Sequence, residues 1–206
     1  MRSKATAGGR LFVALVSCLS FGVACQSSPE EPAPAARAMS ARDYDAWRRP
    51  DALVAALGLR PGDAVADVGA GRGYLTGRLA AAVGPSGRVV ATDIDAPALA
   101  ELAGLPPAPG AAPIETRRVA ADRPGLEAGR YDLILLAEVD HYLADRAGYL
   151  RQLSAALSER GRIAVSNRLQ HRAALLAAAR EAGLVIQAEH TAELPGQFLV
   201  LLAPRR

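Results

Sequence analysis

The chain has 206 residues, of which 50% are hydrophobic, 22% charged and 4% aromatic, so it holds enough apolar material for one core and is no disordered chain. Its formal charge of +3 is unevenly placed: residues 1–24 carry Arg2, Lys4 and Arg10 and no acid, and the remainder balances 21 basic against 21 acidic residues. A basic excess confined to a leader is no footprint for nucleic acid. The two cysteines, Cys18 and Cys25, both lie near the start, which excludes a disulfide scaffold, a cysteine zinc site and a cysteine nucleophile from the rest; no metal site is expected.

Residues 1–10 are basic, and 11–24 (LFVALVSCLSFGVA) form an uncharged apolar run, shorter than the roughly 20 residues a spanning helix needs. This order predicts a signal peptide over 1–24. It resembles a bacterial lipoprotein signal, in which a cysteine after small residues is lipidated. Cys25, after Gly22-Val23-Ala24, is the expected lipidation site; Cys18, after Leu15-Val16-Ser17, is the alternative and leaves an h-region of only seven residues. The resemblance implies an exported domain anchored by lipid at the cell envelope and facing the periplasm, with Gln26 favouring the outer membrane. An ordinary secretory leader is the other reading. Residues 25–42, with Pro29, Pro32 and Pro34, read as a flexible tether before a domain over 43–206.

The domain alternates between the two periods of regular structure. A helix is expected over Asp51–Leu59, a strand over Ala64–Val68, a helix over Tyr74–Val83, a strand over Arg88–Thr92 and a helix over Pro97–Ala103. A Pro/Gly-rich loop, Leu105–Pro113, precedes a strand over Ile114–Ala121, and the nearly unbroken apolar run Tyr131–Ala137 reads as a central strand. Then come a helix over Arg146–Leu157, a strand over Arg162–Ser166, a helix over Ala173–Ala182, and strands over Leu184–Glu189 and Gln197–Ala203. The fold class is α/β: a doubly wound, mainly parallel seven-stranded sheet. The last two strands leave no room for a crossover helix and must pair antiparallel.

The chemistry sits where the first strand meets its helix. Asp67-Val68-Gly69-Ala70-Gly71-Arg72-Gly73-Tyr74 is a glycine turn beyond the carboxyl end of a parallel strand, where open sheets bind ligands. The second strand ends at Asp93, twenty residues past Gly73, where a carboxylate can accept from both hydroxyls of a ribose. A dinucleotide fingerprint has glycine at the sixth position, where this chain has Tyr74, and Asp67 is ill placed beside a pyrophosphate. An NAD-dependent oxidoreductase is therefore the weaker reading.

The runs DVGAGRGYLTGRLA and VGPSGRVVATDID resemble the first two motifs of the class I S-adenosylmethionine-dependent methyltransferases, and the likeness continues in motif order over about 43–206. It implies the class I methyltransferase fold, S-adenosylmethionine as cofactor and a methyl acceptor that is a small molecule. Asp67, Gly69, Ala70 and Gly71 would face the methionine moiety, Asp93 the ribose and Ile94 the adenine; Asp122 would lie near the adenine amino group and Glu138 at the rim near the sulfonium. Asp140, His141 and Tyr142 are the catalytic candidates, and Tyr44 and Trp47 a lid. Bland readings stand beside these: Asp93 as a helix cap, Asp122 as a turn residue, Trp47 as core packing and His141 as a hydrogen-bonded structural residue. A non-catalytic nucleoside-binding or envelope-interaction lipoprotein is the alternative function. The acceptor and the oligomeric state stay open.

Overall fold

The central strands of the sheet have apolar residues facing both ways, which is what a sheet covered on both faces requires. In the computed structural model, which describes residues 41–192 and 194–205, strand β4 (Tyr131–Ala137) shows the division. Leu133 and Leu135 join a core layer with Leu53, Leu57, Leu79 and Val83, whereas Ile134 and Leu136 join a layer with Leu150, Leu153 and Leu175. The first layer is covered by α2 (Pro50–Ala56) and α3 (Thr76–Val83), the second by α5 (Arg146–Ala156) and α6 (Arg172–Glu181).

The remaining elements are α1 (Ala41–Arg48), β1 (Ala64–Val68), β2 (Arg88–Asp93), α4 (Ala96–Ala103), β3 (Ile114–Arg118), β5 (Leu157–Arg168), β6 (Leu184–His190) and β7 (Gln197–Pro204). The strand order is β3-β2-β1-β4-β5-β7-β6, with β7 antiparallel to both neighbours and the other pairs parallel. The expected seven-stranded, doubly wound sheet is therefore present. The chain turns from one side of β1 to the other between β2 and β4, so a crevice opens at the carboxyl ends of β1 and β4.

Three of the differences from expectation have a reason outside the local sequence. Helix α1 starts at Ala41, inside the segment read as tether; it is polar on average and is held by what Arg48 and Trp47 touch at its end. Strand β3 stops at Arg118, because Val119 turns its amide to Asp93 O at 2.9 Å and the next residues leave the ladder to line the crevice. Strand β5 begins at Leu157, five residues early, pairs with Tyr131 and then bulges; Gly161 passes so close to Tyr131 O that a Cβ would sit 2.4 Å from it. The signal peptide, Cys18, Cys25 and the tether up to residue 40 lie outside the described residues. Among the described residues no helix is long and apolar enough to cross a membrane.

Candidate active site

The turn after β1 is built from left-handed residues: Gly69, Gly71 and Gly73 have φ of 75°, 53° and 84°. Two of them also lack room for a side chain. A Cβ on Gly69 would lie 2.3 Å from Val139 Cγ2, and one on Gly73 2.3 Å from Leu102 Cδ1. Gly71 instead faces open space, with nothing within 4 Å of its Cβ position. The Gly69 and Ala70 amides both donate to Thr92 O, at 2.8 and 3.1 Å, and stitch the turn to β2. The Gly71 amide donates to Asp93 Oδ2 at 2.7 Å, and the Asp95 amide to Asp93 Oδ1 at 2.9 Å. Asp95, not Asp93, caps α4, by accepting from the Ala98 amide at 3.1 Å. The helix-cap reading of Asp93 is thereby corrected, and each of its carboxylate oxygens keeps a lone pair for a further donor.

Two hollows meet at Gly69 and Ala137. The first, about 330 Å³, is lined by Thr92, Asp93, Ile94, Val119, Ala120, Ala121, Glu138, Tyr142 and Tyr149, among others. That volume is at the lower end of the roughly 300–1,000 Å³ of small-molecule sites. Ile94, at its rim, is 58% exposed, an apolar side chain with no packing role of its own. Thr92 Oγ1 and Glu138 Oε1, both on lining residues, are buried without a hydrogen-bond partner. The second hollow, about 290 Å³, is lined by Tyr44, Arg48, Asp67, Ala70, Gly71 and Tyr74 among others. Here Asp67 is buried and accepts from Thr76 Oγ1 at 2.6 Å. Burial pushes its carboxyl up to about 6, against the pull of the Thr76 hydrogen bond.

Glu138 stands at the switch point in an unusual conformation, with φ of 62°, a left-handed value uncommon for a side chain of this size. Its carboxylate lies between two guanidinium groups, Arg48 Nη1 at 3.6 Å and Arg168 Nε at 3.7 Å, close enough for ion pairing and too far for a hydrogen bond. Arg48 is itself buried; it donates to Gln197 Oε1 at 2.5 Å and Ser166 Oγ at 3.3 Å. Desolvation pulls its pKa below the usual arginine value, opposed first by the Glu138 charge.

The other candidates are placed differently. Asp140 is fully buried behind the site, accepting from Asn167 Nδ2 at 2.6 Å and pairing with Arg146 at 3.3 Å; it lines neither hollow. His141 also lines neither; its ring is tilted against Tyr142 and stacked on His171, with centroids 3.9 and 4.5 Å away. Tyr142 is 79% exposed and does line the first hollow. Asp122 falls in a neighbouring depression with Tyr142, Asp145 and Tyr149, and its carbonyl accepts from Gln152. Burial, with the Asp122 charge adding to it, pushes the Tyr149 phenol up to about 12.

Tyr44 lines the second hollow, edge-on to Tyr74 at 5.0 Å. Trp47 is half-buried, with the Arg168 and Arg48 guanidinium carbons 5.3 and 5.9 Å from its ring centre. Arg48, Tyr149 and Asn167 escaped the sequence reading. Only Arg48 leaves a trace, as a charge one turn beyond Tyr44 on the same helical face. Among the described residues no group of three or more His, Cys, Asp or Glu side chains is arranged to hold a metal ion.

Residues 66–163 match the model of the family described as methyltransferase domain. No curated protein matches the chain. Among solved structures, a SAM-dependent methyltransferase from Aquifex aeolicus is similar with a TM-score of 0.68 and 18% identity, over 77% of this chain and 91% of that one. A TehB-like SAM-dependent methyltransferase from Corynebacterium glutamicum gives 0.61 and 19%, over 80% and 94%. An S-adenosylmethionine-dependent methyltransferase from Mesorhizobium loti gives 0.56 and 18%, over 69% and 91%. At such identities the likeness is one of fold, and the fold is that of the class I methyltransferases. Within it, the family match runs from β1 to the middle of β5 and so contains the glycine turn, Asp93 and Glu138.

Proposed function

We propose that this protein is an S-adenosylmethionine-dependent methyltransferase acting on a small-molecule acceptor. The observation that carries the reading is the pair of hollows meeting at Gly69 and Ala137, with a carboxylate in each: Asp93 in the first and Asp67 in the second. The residues present suit the cofactor. Each Asp93 oxygen, beside the backbone amide it already accepts from, keeps a lone pair for a ribose hydroxyl, Ile94 offers an apolar face to a purine, and the bare Gly71 backbone lets a ligand approach. Asp67 supplies the charge for an ammonium group. The Asp67 carboxylate would repel a pyrophosphate there, although Arg48 and Arg72 line the same hollow, and with Tyr74 in place of a third glycine this weighs against the nicotinamide reading.

When bound, the cofactor supplies an activated methyl group on a sulfonium. What remains for the chain is to align an acceptor in line with it and keep water out, and positioning of that kind accounts for much of the rate in such reactions. Glu138, at the junction, is the group assigned to take a proton from an acceptor that carries one; its buried Oε1, which faces Arg48 at 3.6 Å and accepts no hydrogen bond, supports this. Calorimetry of the purified protein with S-adenosylmethionine is the test. Micromolar binding that Asp93→Ala weakens about 10- to 100-fold supports the reading, and equal affinity in both forms overturns it.

The exported, lipid-anchored placement is proposed alongside, on the order of charge and hydropathy over residues 1–25. Labelled fatty acid incorporated by the wild type and by Cys18→Ser but not by Cys25→Ser is the expected result.

A further inference from the structure

Three hollows stand in series along the crevice. The one holding Asp67 meets the one holding Asp93 at Gly69 and Ala137. The Asp93 hollow runs in turn into the depression beside Asp122, about 370 Å³, with which it shares Ala121, Tyr142, Leu143 and Tyr149. The outer two share no residue. A ligand with an amino-acid end at Asp67 and a ribose at Asp93 therefore points the far edge of its base at this shared wall. Of the four residues there, Tyr149 is the polar one that is buried, 6% exposed against 79% for Tyr142. Its ring packs in the core layer of Leu150 and Leu153, and Asp145, which accepts from the Gly148 amide at 2.7 Å, caps the turn of α5 that carries it. Its phenol makes no hydrogen bond to a described residue and, unlike Thr92 Oγ1, keeps some open surface. Three residues on, Gln152 donates to Asp122 O at 3.1 Å and holds the Asp122 loop against the same helical face.

We infer that Tyr149 is a specificity-determining residue for the nucleoside: its hydroxyl donates to the ring nitrogen beside the amino group of a 6-aminopurine, while the Asp122 carboxylate accepts from that amino group. The inference rests on the methyltransferase reading, through the ends of the ligand that Asp67 and Asp93 hold. A carboxylate only accepts, whereas a phenol kept protonated by its burial can donate. A donor beside an acceptor is the complement of adenine, which shows N1 as an acceptor next to the N6 hydrogens. Hypoxanthine shows the reverse, N1–H next to O6. The phenol can turn to accept from that N1–H, but Asp122 then faces O6, acceptor against acceptor, and the mismatch costs binding.

Calorimetry on the full chain with three ligands tests this: S-adenosylhomocysteine, its 1-deaza analogue, in which C–H replaces N1, and S-inosylhomocysteine. The wild type is expected to bind the first about 3- to 10-fold more tightly than the second, and at least about 10-fold more tightly than the third. Tyr149→Phe keeps the ring and is expected to lose about 3- to 10-fold for S-adenosylhomocysteine and nothing for the 1-deaza analogue, which has no bond to lose. Equal losses on both ligands mark a purely structural role and overturn the inference. Asp122 is exposed, and Asp122→Asn is expected to erase the preference for adenine over hypoxanthine; an unchanged preference overturns the pairing. If Tyr149→Phe does not fold, the wild type still decides, since equal affinity for S-adenosylhomocysteine and its 1-deaza analogue overturns the inference. Each of these failures leaves the methyltransferase reading standing, whereas a wild type that binds no S-adenosylhomocysteine overturns that reading and the inference with it.

Discussion

The Gly71 amide donates to Asp93 Oδ2 at 2.7 Å, so the turn after β1 and the end of β2 form one unit although 22 residues separate them. Asp93 thus shapes the loop that approaches the ligand and presents the oxygens that would hold it. Asp93→Ala is expected to weaken S-adenosylmethionine binding about 10- to 100-fold, from the roughly 1.5–3 kcal/mol of a hydrogen bond to a charged group. Asp93→Asn does not rescue it, because an NH2 would face either the Gly71 or the Asp95 amide, donor against donor. Calorimetry of the three forms checks this.

Gly69 and Gly71 share a positive φ but differ in their surroundings. Gly69→Ala meets both backbone strain and Val139 and is expected to cost about 2–3 kcal/mol; Gly71→Ala meets strain alone, about 1 kcal/mol. Val139→Ala should recover part of the first loss and none of the second. Urea denaturation of the two pairs gives the coupling directly.

Asp67 carries a pH signature with a definite sign. Its folded-state pKa of about 6 lies above the ordinary 3.8, so the folded chain binds this proton more tightly than the unfolded one. Its contribution to stability is full below about pH 4 and lost as the pH rises through about 6, an upper bound of roughly 3 kcal/mol. Asp67→Asn should remove that slope from denaturation curves taken between pH 4 and 7. Binding of the cationic cofactor needs the carboxylate, so affinity should climb up to tenfold per pH unit below 6 and level off above it.

Arg48 is expected to behave as the bolt of α1. Arg48→Ala leaves Glu138 without its buried countercharge and Gln197 Oε1 without its donor, at a cost of about 3–5 kcal/mol. Adding Glu138→Gln should return part of the loss. A double change that is fully additive in chemical denaturation would refute the pairing.

Ile94 separates binding from stability. Because it is 58% exposed, Ile94→Ala should alter stability by no more than about 0.5 kcal/mol. Covering such a side chain with a purine is worth about 1.5 kcal/mol, so affinity should fall roughly tenfold.

Strand β4 and the glycine turn were readable before any coordinates, because both are written in neighbouring residues. An unbroken apolar run must lie between two covered faces, and closely spaced glycines before a helix must turn sharply. The antiparallel end of the sheet followed from a connection too short to cross over. The ends of β3 and β5 did not follow, since they depend on Val119 bonding Asp93 and on Gly161 passing under Tyr131.

Local order along the chain therefore settled the layer architecture, the place of the crevice and the presence of Asp67 and Asp93 at its edge. The setting of Glu138 and the roles of Arg48 and Asn167 came only from packing. Arg48 finds Ser166 and Gln197 at separations of 118 and 149 residues, and His141 finds Asn167 across 26. Hydrogen bonds of this reach are set by which strands become neighbours and by what burial leaves unpaired, and neither quantity is written in the residues on either side.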